Sequence, residues 1–266
     1  MKTRREKNKT AKVRLDKLLV ERGLAASRER AQALILAGKV LVNEQKMVKA
    51  GAAIAANASL RLLGEDLKYV SRGGLKLEAA LDHWSIHVQD RVCLDVGAST
   101  GGFTDCLLQR GAARVIAVDT GYGQIDSRLR FDPRVRLLER TNARYLKKEQ
   151  LAEPVSLVVM DVSFISATLV LPAVVEAVFG RSAREDGRAT QAASRLELLV
   201  LVKPQFEAGR EQVGKGGIVR DAAVQAEAVE KVRRKLMQLG ARSTDSIESP
   251  ILGAEGNREF LLYAVW

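Results

Sequence analysis

The chain has 266 residues, 47% of them hydrophobic, which suffices for one substantial α/β core and a small satellite domain. Its net charge of +11 is concentrated at the start: residues 1–63 hold 15 Lys and Arg against 5 Asp and Glu, and the remaining 203 hold 28 against 27. No apolar run approaches the ~20 residues that cross a bilayer, no cleavable apolar leader follows the basic start, and two cysteines with two histidines argue against a disulfide framework or a zinc site.

In chain order, residues 1–12 read as a basic tail and residues 14–62 as a compact unit. Leu15, Leu18 and Leu19 mark one helical face that ends at Gly23-Leu24. Ser27 is placed to cap a second helix with Ala31, Leu34 and Ile35 inward, stopped by Gly38. Val40 to Asn43 reads as a strand entering a turn, and Ile54 to Leu62 as a further short strand pair. Arg28, Arg30, Lys39, Lys46 and Lys49 fall on the polar side, so the unit is expected to meet a polyanion, either nucleic acid or an acidic membrane surface. Residues 64–70 read as a polar joint.

Beyond the joint, strand and helix patterns alternate. The predicted segments are 91–97, 103–109, 114–119, 124–129, 135–138, 155–161, 165–179, 196–203 and 222–239, with a closing apolar pair at 242–247 and 259–266. Alternation predicts a parallel, doubly wound sheet, and the closing pair predicts an antiparallel last strand. Pro172 is expected to kink or restart its helix, and residues 181–194 read as a charged surface loop. Cys93 and Cys106 sit at apolar-periodic positions and read as small core residues, and His83 and His87 as surface or half-buried imidazoles.

The most informative stretch is Asp95-Val96-Gly97-Ala98-Ser99-Thr100-Gly101-Gly102, after an apolar run and before a helical one, with Asp119 closing the next apolar run. Glycines there let the backbone turn tightly beside a ligand, and Asp119 is placed to grip a ribose. The dinucleotide spacing G-x-G-x-x-G is missing, and Asp95 would repel a pyrophosphate. S-adenosylmethionine, phosphate-free and positively charged at its sulfonium and amino groups, suits an acidic, glycine-lined loop better. Four charged residues accompany this loop: Lys76 after Arg72-Gly73-Gly74, Asp161 and Lys203 ending apolar runs, and Glu259 opening the last one. Carboxyl ends of strands are where ligands bind in doubly wound sheets.

The run Arg14-Leu15-Asp16-Lys17-Leu18-Leu19, with Ala26-Ser27-Arg28, Ala31, Leu34-Ile35, Gly38-Lys39-Val40 and Val42-Asn43, resembles an S4 RNA-binding domain. Lys76, Asp161, Lys203 and Glu259 match the Lys-Asp-Lys-Glu tetrad of FtsJ-like 2′-O-methyltransferases. With the stretches 97–111, 161–166 and 202–207, the chain from Arg14 onward is similar to the TlyA family, historically labelled hemolysins and acting as ribosomal RNA cytidine 2′-O-methyltransferases.

The resemblance implies a small α+β S4-like domain at 1–63, a joint at 64–70 and a Rossmann-like methyltransferase domain at 71–266. It implies catalytic roles for Lys76, Asp161, Lys203 and Glu259. It implies cofactor contacts from Asp95, Gly97, Ser99, Gly101, Gly102, Phe103, Asp119, Asn142 and Asp161. Arg14, Arg28, Arg30, Lys39, Arg72 and Lys215 are the expected RNA contacts, and no metal is required. Lys203 is read as nearest the 2′-hydroxyl, either as base or as orienting donor. Lys76 nearby favours its neutral form, and Asp161 and Glu259 favour the charged one. The alternative is that Asp161 serves mainly to hold Lys203, and Lys76 to contact phosphate.

Residues 205–220, with four glycines and three basic residues, read as a flexible flap closing on RNA. Gln225 departs from the family, where a histidine often follows Val219-Arg220-Asp221. The expected partners are ribosomal RNA or ribosomal subunits, with no membrane, and the expected state is a cytoplasmic monomer. The competing readings are a membrane-active hemolysin and a noncatalytic RNA-binding assembly protein.

Overall fold

The structure is a computed structural model that describes residues 12–25, 27–63, 68–180, 196–253 and 256–266. The expected basic tail up to residue 11, Ala26, most of the joint and the loop at 181–194 lie outside the described residues, while Lys12 opens the first strand. Two compact units divide at Asp66 and Leu67.

The first unit contains β1 (Lys12–Arg14), α1 (Leu15–Glu21), α2 (Arg28–Leu36), β2 (Val40–Val42), β3 (Gln45–Met47), β4 (Ala53–Ala55) and β5 (Leu60–Leu62). Leu15, Leu18, Leu19, Ala31, Leu34 and Ile35 are all buried, as their helical spacing predicts. The Ser27 hydroxyl accepts from the Arg30 amide, and Gly38 leaves α2 at φ +66°. The two strands at 53–62 do not pair with each other. β4 pairs antiparallel with β1, a strand the sequence reading missed, and β5 with β2.

The second unit is built on a seven-stranded sheet of β6 (Val92–Val96), β7 (Arg114–Val118), β8 (Val135–Leu138), β9 (Leu157–Met160), β10 (Glu197–Val202), β11 (Ser243–Glu248) and β12 (Phe260–Val265). Their order is β11-β12-β10-β9-β6-β7-β8. Strands β6 to β10 run parallel, and β12 lies antiparallel between β10 and β11. Alternate residues face opposite layers. Leu94, Val158 and Val200 pack toward α7 (Ala167–Phe179), and Cys93, Val159 and Leu201 pack toward α3 (Gly73–His83) and α4 (Gly102–Gln109).

Among the described residues, four more helices belong to the unit: α5 (Ser127–Arg130), α6 (Lys148–Leu151), α8 (Pro204–Glu207) and α9 (Ala222–Gln238). Helix α5 starts three residues later than its apolar pattern suggests, because the Asp126 carboxylate caps it through the Arg128 amide. Pro172 does not restart α7. The helix runs unbroken from a Ser166 cap, and six buried side chains offset the one hydrogen bond that proline cannot donate. Tyr69 and Val70, read as part of the joint, belong to the second unit: the Tyr69 ring is buried, and the Val70 amide donates to Asp105 at 2.8 Å. Cys93 and Cys106 are fully buried, which pushes both thiols up to about 12.

Candidate active site

Strands β6 and β9 are neighbours at the centre of the sheet, and the chain leaves them toward opposite edges. This is the topological switch point, where a crevice opens at the carboxyl ends of the strands. Gly97 and Asp161 occupy those ends. Gly97 has φ +87°, and a Cβ placed on it would lie 2.4 Å from the Asp161 carbonyl oxygen. The loop after β6 is braced by Asp119, whose carboxylate accepts from the Ser99 amide at 2.8 Å and from the Gly121 amide at 2.7 Å. At the start of α4, a Cβ on Gly102 would lie 2.2 Å from Ser71 Oγ and 3.0 Å from the Gly74 nitrogen. The glycine pair opening α3 thus packs on Gly102 at the start of α4, and this contact sets where α3 presents Lys76.

A cavity of about 610 Å³ opens there, walled by Gly97, Ala98, Ser99, Thr100, Gly102 and Phe103 and entered past Arg72, Phe164 and Phe206. Two ion pairs line it. Lys76 Nζ donates to Glu259 Oε2 at 2.5 Å, across 183 positions of sequence. Lys203 Nζ lies 2.6 Å from Asp161 Oδ1 and donates to Ser163 Oγ at 2.7 Å. The antiparallel direction of β12 makes the first pair possible, because its beginning lies beside the carboxyl end of β10. Phe164 is 91% exposed, holds φ +64°, and meets Phe206 with ring centroids 5.3 Å apart.

All four charged residues singled out in the sequence therefore reach one cavity, together with Gly97, Ser99, Gly102, Phe103 and Arg72. Four expected cofactor residues do not line it. Asp95 points from β6 into the α4 layer, where Thr104 Oγ1 donates to it at 2.6 Å. Gly101 is spent on packing, since a Cβ there would meet Leu129 at 2.3 Å. Asp119 faces its own loop. Asn142 is exposed and caps a 3₁₀ turn, accepting from the Arg144 amide at 3.0 Å.

The expected flap is an anchored hairpin. Buried Asn257 donates to the Gly217 carbonyl at 2.9 Å and accepts from the Val219 amide at 3.0 Å. Gln225, where a histidine was expected, donates to the Val219 carbonyl at 2.8 Å. Val213 and Gly217 of this hairpin line the cavity, while Lys215 is exposed and does not. Ser163, Phe164, Phe206 and Asn257 escaped the sequence reading. Their only signal was adjacency to Asp161, Lys203 and Glu259.

Comparison with known families decides the assignment. The FtsJ-like methyltransferase family matches residues 69–265, and the S4 domain family matches residues 13–51. The chain belongs to the FtsJ-like methyltransferase family. It is 46% identical over 95% of its length to the 16S/23S rRNA (cytidine-2′-O)-methyltransferase TlyA of Mycobacterium tuberculosis, covering 89% of that protein. It is 39% identical over 95% of its length to Hemolysin A of Brachyspira hyodysenteriae, covering all of it. A solved structure of a hemolysin-named protein from Streptococcus thermophilus superposes with a TM-score of 0.69 at 41% identity, covering 96% of this chain and 89% of that one.

FtsJ-like methyltransferases take their methyl group from S-adenosylmethionine, and the residues present fit it. Asp95, two positions before Gly97, is fully buried, and its Oδ1 has no hydrogen-bond partner. The carboxylates that do line the cavity, Asp161 and Glu259, complement a sulfonium and an ammonium and oppose a pyrophosphate. Burial pushes the Asp95 carboxyl up to about 7. The folded state thus holds this proton to higher pH than the unfolded chain does. The associated stability is complete below the ordinary carboxylate range and is lost as pH rises through about 7. Asp95→Asn is expected to flatten this dependence and to exceed the parent chain in stability at pH 8 by on the order of 1–4 kcal/mol, measured by urea unfolding across pH.

Proposed function

We propose that this methyltransferase modifies the 2′-hydroxyl of a cytidine ribose in ribosomal RNA, acting as a cytoplasmic monomer with its S4 unit holding the RNA. The observation that carries the reading is the pair of lysine–carboxylate bridges in one cavity, Lys76 with Glu259 and Lys203 with Asp161, beside the glycine loop. S-adenosylmethionine, when bound, supplies a methyl group activated by its sulfonium. The protein's task is to bring a weakly acidic hydroxyl into line with it.

The Lys203 ammonium donates to Ser163 Oγ and pairs electrostatically with Asp161. An N–H not used there is left for the ribose oxygen, which favours the orienting-donor role. Asp161 fixes the direction of that donor, and the Lys76–Glu259 bridge closes the opposite wall. Gly97, Ser99, Gly102 and Phe103 would hold the cofactor. The exposed Phe164 ring, with half-buried Phe206 beside it, offers a face for a nucleobase drawn out of its stack.

In the S4 unit, Arg14 and Arg28 both bind the fully buried Asp16, at 2.8 and 3.1 Å, yet their side chains stay 54% and 53% exposed. The Arg14 guanidinium, with help from Gln32 and Arg28, holds the Asp16 carboxyl well below its usual range. Two guanidiniums on one buried carboxylate form an ordered phosphate contact, with Arg30 and the exposed Lys39 on the same module. Arg28→Gln leaves Asp16 paired with Arg14 and is expected to lower the slope of log affinity against log salt by about 0.7–0.9, the share of one phosphate. Titrating RNA at several salt concentrations checks it.

The function itself is tested by methyl transfer from labelled S-adenosylmethionine to purified small and large ribosomal subunits, followed by digestion to nucleosides. The expected product is 2′-O-methylcytidine. Label on a base, or on neither subunit despite cofactor binding, overturns the reading.

A further inference from the structure

Lys203 is held by two residues of the loop after β9, and that loop is tied down by a carboxylate from the segment after β10. Glu207 ends α8, is only 6% exposed, and reaches back to the start of α7. Its Oε2 accepts from Ser166 Oγ at 2.5 Å and its Oε1 from the Ala167 amide at 2.6 Å. Lys231 on α9 donates to the Glu207 carbonyl at 2.6 Å and its Nζ also lies 3.5 Å from Oε2, so one cation holds both the backbone and the carboxylate of Glu207. Between the points that Glu207 joins lie Asp161, Ser163 and exposed Phe164 on one segment, and Lys203, Gln205 and Phe206 on the other, all of them cavity-lining.

Phe164 at φ +64° marks the first segment as one that its own backbone preference does not set. Burying a carboxylate costs free energy, and here burial raises the Glu207 carboxyl above its ordinary value. The position therefore works against simple stability and in favour of a specified geometry.

We infer that Glu207 is a positioning residue for Lys203, clasping the two strand-end segments so that Asp161 and Ser163 face the Lys203 ammonium. The inference rests on the methyltransferase reading above. Glu207→Ala is expected to lower kcat at least about tenfold while cofactor affinity stays within about twofold. Glu207→Gln retains an acceptor for the Ala167 amide and is expected to restore kcat to within about threefold. If Glu207 acts through the loop, adding Ser163→Ala to Glu207→Ala costs no more than the worse single change. Should Glu207→Ala not fold, Glu207→Asp, one methylene too short to span both partners, takes its place.

A readout independent of turnover is the ¹⁵N signal of the Lys203 ammonium, assigned with Lys203→Arg. An ordered signal in the parent chain and Glu207→Gln, lost in Glu207→Ala or Glu207→Asp, supports the inference. An unchanged signal, or fully additive losses in the double variant, overturns it. If the parent chain methylates neither subunit, the functional reading fails, and the ammonium signal still decides the role of Glu207.

Discussion

Lys203→Ala is expected to lower kcat for methyl transfer by about 10²–10⁴-fold, with cofactor affinity changed less than about threefold. The ammonium pairs with Asp161 and donates to Ser163, and an N–H not used there is the donor that the reading assigns to the ribose oxygen. Deleting it removes the alignment of the hydroxyl and leaves the glycine loop untouched. Lys203→Arg is not expected to rescue, because a planar guanidinium cannot reproduce the three directions of a tetrahedral ammonium. Single-turnover rates on ribosomal subunits, beside equilibrium binding of S-adenosylmethionine, separate the two effects. A kcat within a few-fold of the parent would remove Lys203 from the mechanism.

Gly97→Ala is expected to cost about 2–5 kcal/mol of stability and to abolish cofactor binding. The added methyl meets backbone: the Asp161 carbonyl oxygen at 2.4 Å and its carbon at 2.9 Å, with no flexible side chain to yield. The left-handed φ of +87° adds strain whatever the space. The methyl would also wedge apart the ends of β6 and β9, which define the crevice. Gly123→Ala is the informative control, since it shares a left-handed φ of +70° but has nothing within 4 Å of the new methyl. Urea unfolding of both variants isolates the collision from the backbone strain, and equal losses would show that packing against Asp161 is irrelevant.

Much of the second unit is readable from apolar periodicity because its strands are buried on both faces and its helices alternate with them. Spacing alone also delivers Asp161 and Lys203 to the correct edge, since a charge that closes an apolar run must sit at a strand's end. Pairing is a different matter. Nothing local says that Lys76 belongs with Glu259, because the partnership depends on β12 running antiparallel beside β10. Asp95 and Asp119 looked alike as acids at strand ends. The two-residue period turns Asp95 into the α4 layer, and the turn at Gly121 folds Asp119 onto its own loop. Gly73-Gly74 gave no hint that it was the packing partner of Gly102. Glycine-rich composition suggested a loose flap at 205–220, but composition is silent about the Asn257 and Gln225 side chains that arrive from elsewhere to hold it.

The placement of Glu259 at the head of the last strand has a bearing on synthesis. Lys76 is made early and is almost wholly buried, and its counter-charge is translated 183 positions later. Until the ribosome passes that point, a folded core would enclose an uncompensated ammonium, a defect worth about 3–5 kcal/mol. A product terminated before Glu259 would lack the counter-charge that the buried Lys76 pairs with. The last charged wall of the cavity thus arrives near the end of synthesis, in a protein whose proposed substrate is the translation machinery itself.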